Sequence, residues 1–188
     1  MVTLNRTRLH EESELVADRA MERYADGDDK AFCHVYECIA PRVYSYLARL
    51  LGDRVRAEDL LQQTFLQSHR ARASFARGTH VLPWAFSISR HLMLDHRRSE
   101  GRRARCLAQA TARSERPVLA DQLMAAHERA DELDRRFARL PASQRQAFLL
   151  IHQDGFRFAD AAQVLGITVV AVKLRVHRAR LALQRTGD

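Results

Sequence analysis

Histidine, cysteine and acidic side chains are the residues of this chain that could bind a metal or catalyse a reaction. The chain has nine histidines and three cysteines, and its densest group is Cys33, His34 and Cys38. That spacing does not bring all three side chains onto one face of a helix. The sequence has no HExxH motif, glycine-rich phosphate loop or Gly-x-Ser-x-Gly turn. Buried, inert thiols are therefore favoured over a metal site, and the sequence predicts no cofactor, no metal and no enzyme.

Basic side chains are the second group with a chemical use, because they bind polyanions. Lys and Arg total 31 against 23 Asp and Glu, which gives a net charge of +8 over 188 residues. This excess favours nucleic acid over an acidic small molecule as the partner. The segment 164–183, VLGITVVAVKLRVHRARLAL, carries an apolar stripe on one side of a helical wheel and Lys173, His177 and Arg178 on the other.

A short helix, a turn and a second, basic helix are typical of a helix-turn-helix, whose second helix enters the DNA major groove. Gly166 can supply the left-handed residue of the turn. Thr168 is placed to cap the second helix and to direct its first backbone N–H groups toward a phosphate. A C-terminal helix with a solvated basic face is the alternative interpretation of this segment.

The elements that must position these side chains are predicted to be helical throughout. Apolar residues recur every three or four positions in 31–51, where Pro41 marks a break or the first turn of a new helix, and Gly52-Asp53 closes the segment. The next helix, AEDLLQQTFLQSHRA, turns Leu61, Phe65 and either Leu60 or Leu66 inward. The fold class is therefore all-α, with no substantial sheet.

The middle of the chain separates two helical parts. SFARGTHVLP reads as a loop, after which Pro83 opens a helix that continues to about Arg98. Beyond it the composition becomes arginine-rich and poor in large apolar residues. We predict an acidic N-terminal segment with a first helix (1–24), a helical domain (25–100), a flexible basic linker (101–130) and a second helical domain (131–188).

The sequence also bears on location. No stretch has the roughly 18 apolar residues that a membrane span needs, and the first residues lack the apolar core of a secretion signal. We therefore expect a cytoplasmic protein without membrane insertion.

Two sets of motifs, in order, resemble the extracytoplasmic-function group of bacterial RNA polymerase sigma factors. Residues 57–65 carry the AEDL-Q--F signature, and residues 140–150 carry LP--QR-AF-L, followed by VK-R-HRAR at 172–180. The resemblance covers residues 25–100 and 131–183. Two motif sets in this order are more specific than either set alone.

This resemblance implies an alternative sigma factor that directs promoter-specific transcription initiation. Region 2 would bind the clamp coiled coil of the RNA polymerase core through Glu58, Asp59 and Gln62. Region 2 would also recognise and melt the minus-ten element, through Phe75, His80, Arg90, His91, Asp95, Arg97 and Arg98. The region 4 helix-turn-helix would read the minus-thirty-five element of promoter DNA, through Thr168, Lys173, Leu174, His177 and Arg178.

Some positions depart from the pattern of that group. His91 replaces a usual asparagine, Leu174 a polar residue and Ala171 a threonine, so the promoter sequence does not follow from relatives. Leu174 could read a thymine methyl group. Members of the group are often held inactive by an anti-sigma factor, and a redox role for Cys106 is a further hypothesis. The alternative function is a helix-turn-helix regulator that acts without the polymerase core, in which the AED helix would have no role.

Overall fold

The computed structural model describes the backbone of residues 2–110 and 135–184, and the side chains of 12–100, 102 and 135–184. Within these ranges the chain is helical and contains no β-strand, which confirms the predicted all-α class. The helices are α1 (Val2–Ala25), α2 (Ala31–Leu51), α3 (Arg54–Ala71), a 3₁₀ turn (Arg72–Ser74), α4 (Val81–Ala110), α5 (Ala142–His152), α6 (Phe158–Leu165) and α7 (Val169–Gln184). Residues 135–139 are helical as well. Most of the predicted linker, including 111–130, lies outside the described residues.

The boundary between α2 and α3 is the one that the sequence predicts. Gly52 adopts a left-handed conformation, with φ 68°, and its N–H donates to the carbonyl of Ala48. Side chains with a Cβ disfavour this conformation, so glycine ends the helix at low cost. Asp53 then caps α3 by accepting a hydrogen bond from the Arg56 backbone N–H at 3.1 Å.

Pro41 does not interrupt α2, so the predicted break or new helix at this position is wrong. The helix runs continuously from Ala31 to Leu51 with Pro41 inside it. Pro41 and Glu37, whose carbonyl would accept the missing hydrogen bond, are both exposed. Water can therefore satisfy that carbonyl, and the buried stripe on the opposite face holds the helix together.

The core of the front half lies between α1, α2, α3 and α4. Its largest fully buried side chains are Tyr46, Phe86, Met21, Ile39, Leu47 and Met93. In α3, Leu60 is buried and Leu66 is 51% exposed, which decides between the two residues that the sequence left open. In α1, Met21 is buried, whereas the apolar Leu15 and Val16 are exposed. Small residues, Ala17 and Ala20, complete the buried stripe of α1 in their place.

Helix α4 is longer than the periodicity predicts. It begins at Val81, so Pro83 lies within the first turn, and it extends to Ala110. Proline is tolerated in a first turn because the N–H groups there have no partner inside the helix. The predicted end near Arg98 is wrong because arginine and alanine are good helix formers even where no apolar stripe remains.

Helices α6 and α7 form the predicted helix-turn-helix, and α5 packs against both of them. Gly166, with φ 60°, ends α6 and donates its N–H to the carbonyls of Ala162 and Gln163. The Thr168 hydroxyl accepts a hydrogen bond from the Ala171 N–H at 3.2 Å and so caps α7. The inner face of α7 consists of Val172, Val176 and Ala179, all buried.

The two halves of the chain pack against each other. The ring centroids of Phe86 in α4 and Phe156, which precedes α6, are 4.9 Å apart, with an interplanar angle of 60°. The Gln153 side chain donates to the Ser45 hydroxyl at 2.8 Å, and the Arg42 guanidinium donates to the backbone carbonyl of Asp154. Buried residues of both halves therefore belong to one hydrophobic cluster.

Candidate nucleic-acid and polymerase interfaces

The loop between the 3₁₀ turn and α4 contains the first two residues predicted to contact the minus-ten element. Phe75 is only 6% exposed, and its ring packs edge-on against Trp84 at 5.4 Å. The His80 side chain is 68% exposed. The loop therefore presents His80 to solvent, while Phe75 anchors the loop in the core.

His80 is bound on one side by helix α1. Its Nδ1 donates to the Asp18 carboxylate at 2.8 Å. This hydrogen bond and the charge of Asp18 raise the pKa of His80 above its ordinary value, against the lowering effect of partial burial. The Nε2 atom is left for another partner.

The outer face of α4 brings together four of the predicted minus-ten residues. His91, Asp95, Arg97 and Arg98 are all exposed. His91 donates from Nδ1 to the Ser87 carbonyl at 2.7 Å, and Arg98 pairs with Asp95 at 3.5 Å. These side chains form a polar surface with both signs of charge, open to solvent.

Arg90 is separated from that surface. It is half-buried, and its Nε atom has no hydrogen-bond partner within the described residues. Its charge acts on the buried Tyr46 hydroxyl. Arg90 therefore lies near Tyr46 and not on the exposed face of α4. Periodicity could not distinguish it from its exposed neighbours, because arginine is usually assumed to face solvent.

The outer face of α7 carries the predicted minus-thirty-five residues. Thr168, Lys173, Leu174, His177 and Arg178 are exposed. The Lys173 ammonium lies 5.7 Å from the centre of the Phe158 ring, a distance that allows a cation–π contact. Arg175 is half-buried.

Val170 is a surface residue of α7 that the sequence analysis did not single out. It is 74% exposed, more than any other large apolar side chain in the described residues. Its position, four residues before Leu174 and seven before His177, puts it on the same face as they are. That spacing was the signal that could have identified it.

Helix α3 presents Glu58, Asp59 and Gln62 to solvent. Neither carboxylate has an ion-pair partner among the side chains that the structure describes. The exposed Leu66 continues this face one turn further on. Beside it lies a cleft of about 470 Å³ lined by Tyr24, Asp29, Phe32, Phe65, Leu66 and His69. The arrangement suits a partner surface that offers cations around an apolar centre.

The cysteines do not behave as predicted. Cys33 is exposed and Cys38 is half-buried, so the expectation that these thiols are buried is wrong for Cys33. An exposed position on α2 places Cys33 beside His34 on the solvent side, whereas Val35 takes the buried one. No group of three or more potential metal ligands occurs in the described part of the chain. Cys106 lies where side chains are not described.

None of the described helices is long and apolar enough to cross a membrane.

Family models match both halves of the chain. The model for Sigma-70 region 2 matches residues 35–103, and the model for Sigma-70 region 4 matches residues 130–183. The described parts of the first match include the exposed face of α3, the loop and α4. The described part of the second match includes the helix-turn-helix.

Curated relatives match over most of their length. The chain is 34% identical to the RNA polymerase sigma factor CarQ of Myxococcus xanthus over 161 residues, which cover 84% of this chain and 90% of that protein. It is 33% identical to the ECF RNA polymerase sigma factor EcfG of Rhodopseudomonas palustris over 144 residues, covering 76% of this chain and 77% of that protein.

Solved structures of similar fold include the sigma factor RpoE of Bartonella quintana, determined in complex with the anti-sigma factor NepR. The TM-score is 0.68 at 27% identity, over 82% of this chain and 95% of that one. CnrH, solved with the cytosolic domain of CnrY, shares the fold with a TM-score of 0.67 at 22% identity, over 89% of this chain and 94% of that one.

Proposed function

Because the chain belongs to the extracytoplasmic-function group of bacterial RNA polymerase sigma factors, we propose that it binds the polymerase core and directs transcription to a chosen set of promoters. The observation that carries the proposal is the order of three surfaces on one chain: an acidic face on α3, a loop and polar face at α4, and a basic outer face on α7. A regulator that acted without polymerase would need only the last of them.

The proposed contact with the polymerase uses Glu58, Asp59 and Gln62. These exposed side chains form an acidic and polar patch on a protein of net charge +8. A patch of opposite sign orients an approaching partner that has basic residues, such as the rim of the clamp coiled coil. The exposed Leu66 supplies an apolar centre, which binding surfaces commonly have.

The proposed contact with the minus-ten element uses the loop and the outer face of α4. Strand separation needs polar groups that hold unstacked bases and cations that follow the backbone. His80, His91, Arg97 and Arg98 are exposed for these roles, and Asp95 is close enough to orient Arg98. Phe75 would support the loop from inside the core, and the half-buried Arg90 would be less accessible to DNA than its exposed neighbours on α4.

The proposed contact with the minus-thirty-five element uses the outer face of α7. Arg178 and Lys173 can bond to guanine edges or phosphates, and the capped N-terminus at Thr168 can receive a phosphate. Leu174 and Val170 offer apolar contacts for thymine methyl groups. This exposed apolar pair suggests a half-site that contains thymine.

The wider assignment follows from the same proposal. We assign residues 25–100 to region 2, residues 131–188 to region 4 and residues 101–130 to the connection between them, in a cytoplasmic protein that acts by binding and not by catalysis. An anti-sigma factor is a further proposed partner, supported by the likeness to RpoE, which was solved with NepR.

The test is transcription in vitro with core polymerase from the source bacterium and a pool of genomic fragments. We expect the protein to co-elute with core and to yield transcripts that begin at a small set of sites with a common upstream sequence. Asp59→Lys should weaken co-elution at least about tenfold, since a like charge would then face the basic partner surface.

The matched control is Glu37→Lys, which makes the same charge change at an exposed position of α2 and should leave co-elution unchanged. Binding of promoter duplex by the protein without any association with core would overturn the proposal in favour of a polymerase-independent regulator.

A further inference from the structure

Three carboxylates of helix α1 lie along the loop that precedes α4. Asp18, Glu22 and Asp26 are spaced by four residues, so they lie on one face of the helix. We call these three side chains the acidic ladder. Each of them bonds to a different part of the loop, although more than fifty residues separate them from it in the sequence.

The innermost member makes two contacts. One oxygen of Asp18 accepts from the backbone N–H of Val81 at 2.8 Å, and the other accepts from Nδ1 of His80 at 2.8 Å. The Asp18 side chain is 16% exposed. Val81 is the first residue of α4, so Asp18 satisfies one of the N–H groups that a helix start leaves without a partner.

The outer members hold the other end of the loop. Glu22 accepts from the backbone N–H of Gly78 at 3.0 Å, and Asp26 pairs with Arg77 at 2.5 Å. Gly78 has φ 75°, a left-handed conformation. Inside the loop itself, the described hydrogen bonds run only from Thr79 to Ala76. The shape of the loop therefore depends on partners from α1.

The hydrogen bond from His80 has a chemical consequence. A carboxylate that accepts from Nδ1–H fixes the orientation of the ring and leaves Nε2 for another partner, as an acceptor in the neutral imidazole and as a donor in the protonated one. The His80 side chain is 68% exposed, so a partner from solvent can reach the ring. The ring is held on one side and free on the other, which is the arrangement of an oriented recognition group.

We infer that the acidic ladder positions the loop for reading the melted minus-ten strand, with Asp18 as the positioning residue that orients His80 and the start of α4. The inference rests on the proposed function and deepens it. Asp18 acts through the loop and does not itself contact DNA, whose phosphates would repel its charge.

The alternative for the ladder is masking, in which its negative charges cover N–H groups and cations that would otherwise bind phosphate. The two roles predict opposite results. Removing a positioning carboxylate lowers promoter discrimination, whereas removing a masking carboxylate strengthens binding to every DNA and leaves discrimination unchanged.

The experiment compares Asp18→Ala and Asp18→Asn with the wild-type protein in holoenzyme. The template is the promoter recovered from the fragment pool, together with forms that carry single base substitutions in its minus-ten element. We expect Asp18→Ala to reduce the ratio of transcription from the native over the substituted promoters about tenfold, as for the loss of hydrogen bonds to a charged group. Asp18→Asn retains one acceptor and should lose less.

Two further measurements separate positioning from general damage. Hydrogen exchange at the Val81 amide should accelerate in Asp18→Ala, while exchange in the centre of α2 and binding to minus-thirty-five duplex should stay at wild-type levels. In His80→Ala, the added Asp18→Ala change should cost less than it does alone, because part of its effect passes through His80. Glu37→Gln, an exposed loss of one charge on α2, is the matched control and should change none of these values.

Unchanged discrimination in Asp18→Ala overturns the inference, and so does tighter binding to all DNA with the same discrimination. Failure of the proposed function looks different: wild-type protein would then give no promoter-specific transcript at all, while the Val81 amide would still report whether Asp18 holds the loop.

Discussion

The side chains of the proposed DNA surfaces depend to different degrees on distant parts of the fold. Thr168 and Gly166 occupy the predicted cap and turn because their effects are local: a hydroxyl reaches a nearby N–H, and a left-handed φ favours glycine. Arg90 and Phe75 were assigned to the DNA surface but lie half-buried and buried. Arg90 lies near Tyr46, which is far away in the sequence. Phe75 packs against Trp84 because the loop between them folds back. No local sequence pattern reveals either placement.

Arg178 provides the prediction at the scale of a residue. Arg178→Ala should weaken binding of the isolated minus-thirty-five duplex by about 1–3 kcal/mol if the guanidinium reads a base. The loss should be largest on the preferred half-site and smaller on a scrambled one. The measurement is a titration of labelled duplex by fluorescence anisotropy at fixed salt.

Arg54→Ala controls for the removal of a positive charge, because Arg54 is exposed at the start of α3 in the other half of the chain. An equal loss of affinity on both duplexes would assign Arg178 to phosphate contacts instead of base recognition.

At the scale of elements, helices were predictable wherever an apolar stripe continued and a strong stop signal ended it. Helix α6 ends at the predicted turn because Gly166 follows a short, strongly apolar helix. Helix α4 extends beyond its predicted end, because good helix formers continue a helix even without an apolar stripe. The contacts of the acidic ladder could not be predicted. The sequence shows the four-residue spacing of its carboxylates on α1, but it does not show which loop packs against them.

Gly166 provides the prediction at this scale. Gly166→Ala should destabilise the protein by about 1–2 kcal/mol, because φ 60° is costly for a residue with a Cβ. A Cβ built at this position meets no atom within 4 Å, so backbone strain is the cause and no clash contributes. The measurement is the free energy of unfolding by urea denaturation.

Gly101→Ala is the control of opposite sign. Residue 101 lies inside α4 with helical backbone, where alanine is favoured over glycine by up to about 1 kcal/mol. A stabilising effect of Gly166→Ala would contradict the left-handed turn.

At the scale of the whole molecule, the two matched regions meet at a boundary that is apolar in one part and polar in another. Phe86 and Phe156 pack in the apolar part. In the polar part, the Tyr46 hydroxyl and one Asp154 oxygen have no hydrogen-bond partner within the described residues. Buried polar atoms without partners oppose packing, and the apolar contact favours it. Both regions were predicted from the sequence, but the boundary between them was not. Single residues from turns and helix interiors form this boundary, and they follow no periodic pattern.

Asp154 makes this boundary sensitive to pH. Burial raises the pKa of its carboxyl from 3.8 to about 7, although Arg42 and Arg49 act to lower it. If the halves separate, the carboxyl regains its ordinary pKa, so the packed state binds more protons between the two values. Packing is therefore strongest at low pH, weakens as the pH rises toward about 7, and changes little above that.

We expect the radius of gyration, measured by small-angle X-ray scattering, to be larger at pH 8 than at pH 6. Asp154→Asn should remove most of this difference and keep the protein compact at both values. The pKa of His80 is raised mainly by Asp18 of its own half, so only the minor effect of Asp160 from the other half adds a small contribution of the same sign. A radius that does not change with pH in the wild-type protein would contradict the assignment.

The packing of Phe156 against Phe86 also determines how this protein can be divided into fragments. A fragment that ends after α4 would expose the side of Phe86 that Phe156 covers, and a fragment that begins near α5 would expose Phe156 in turn. Each fragment would expose an apolar surface that favours self-association.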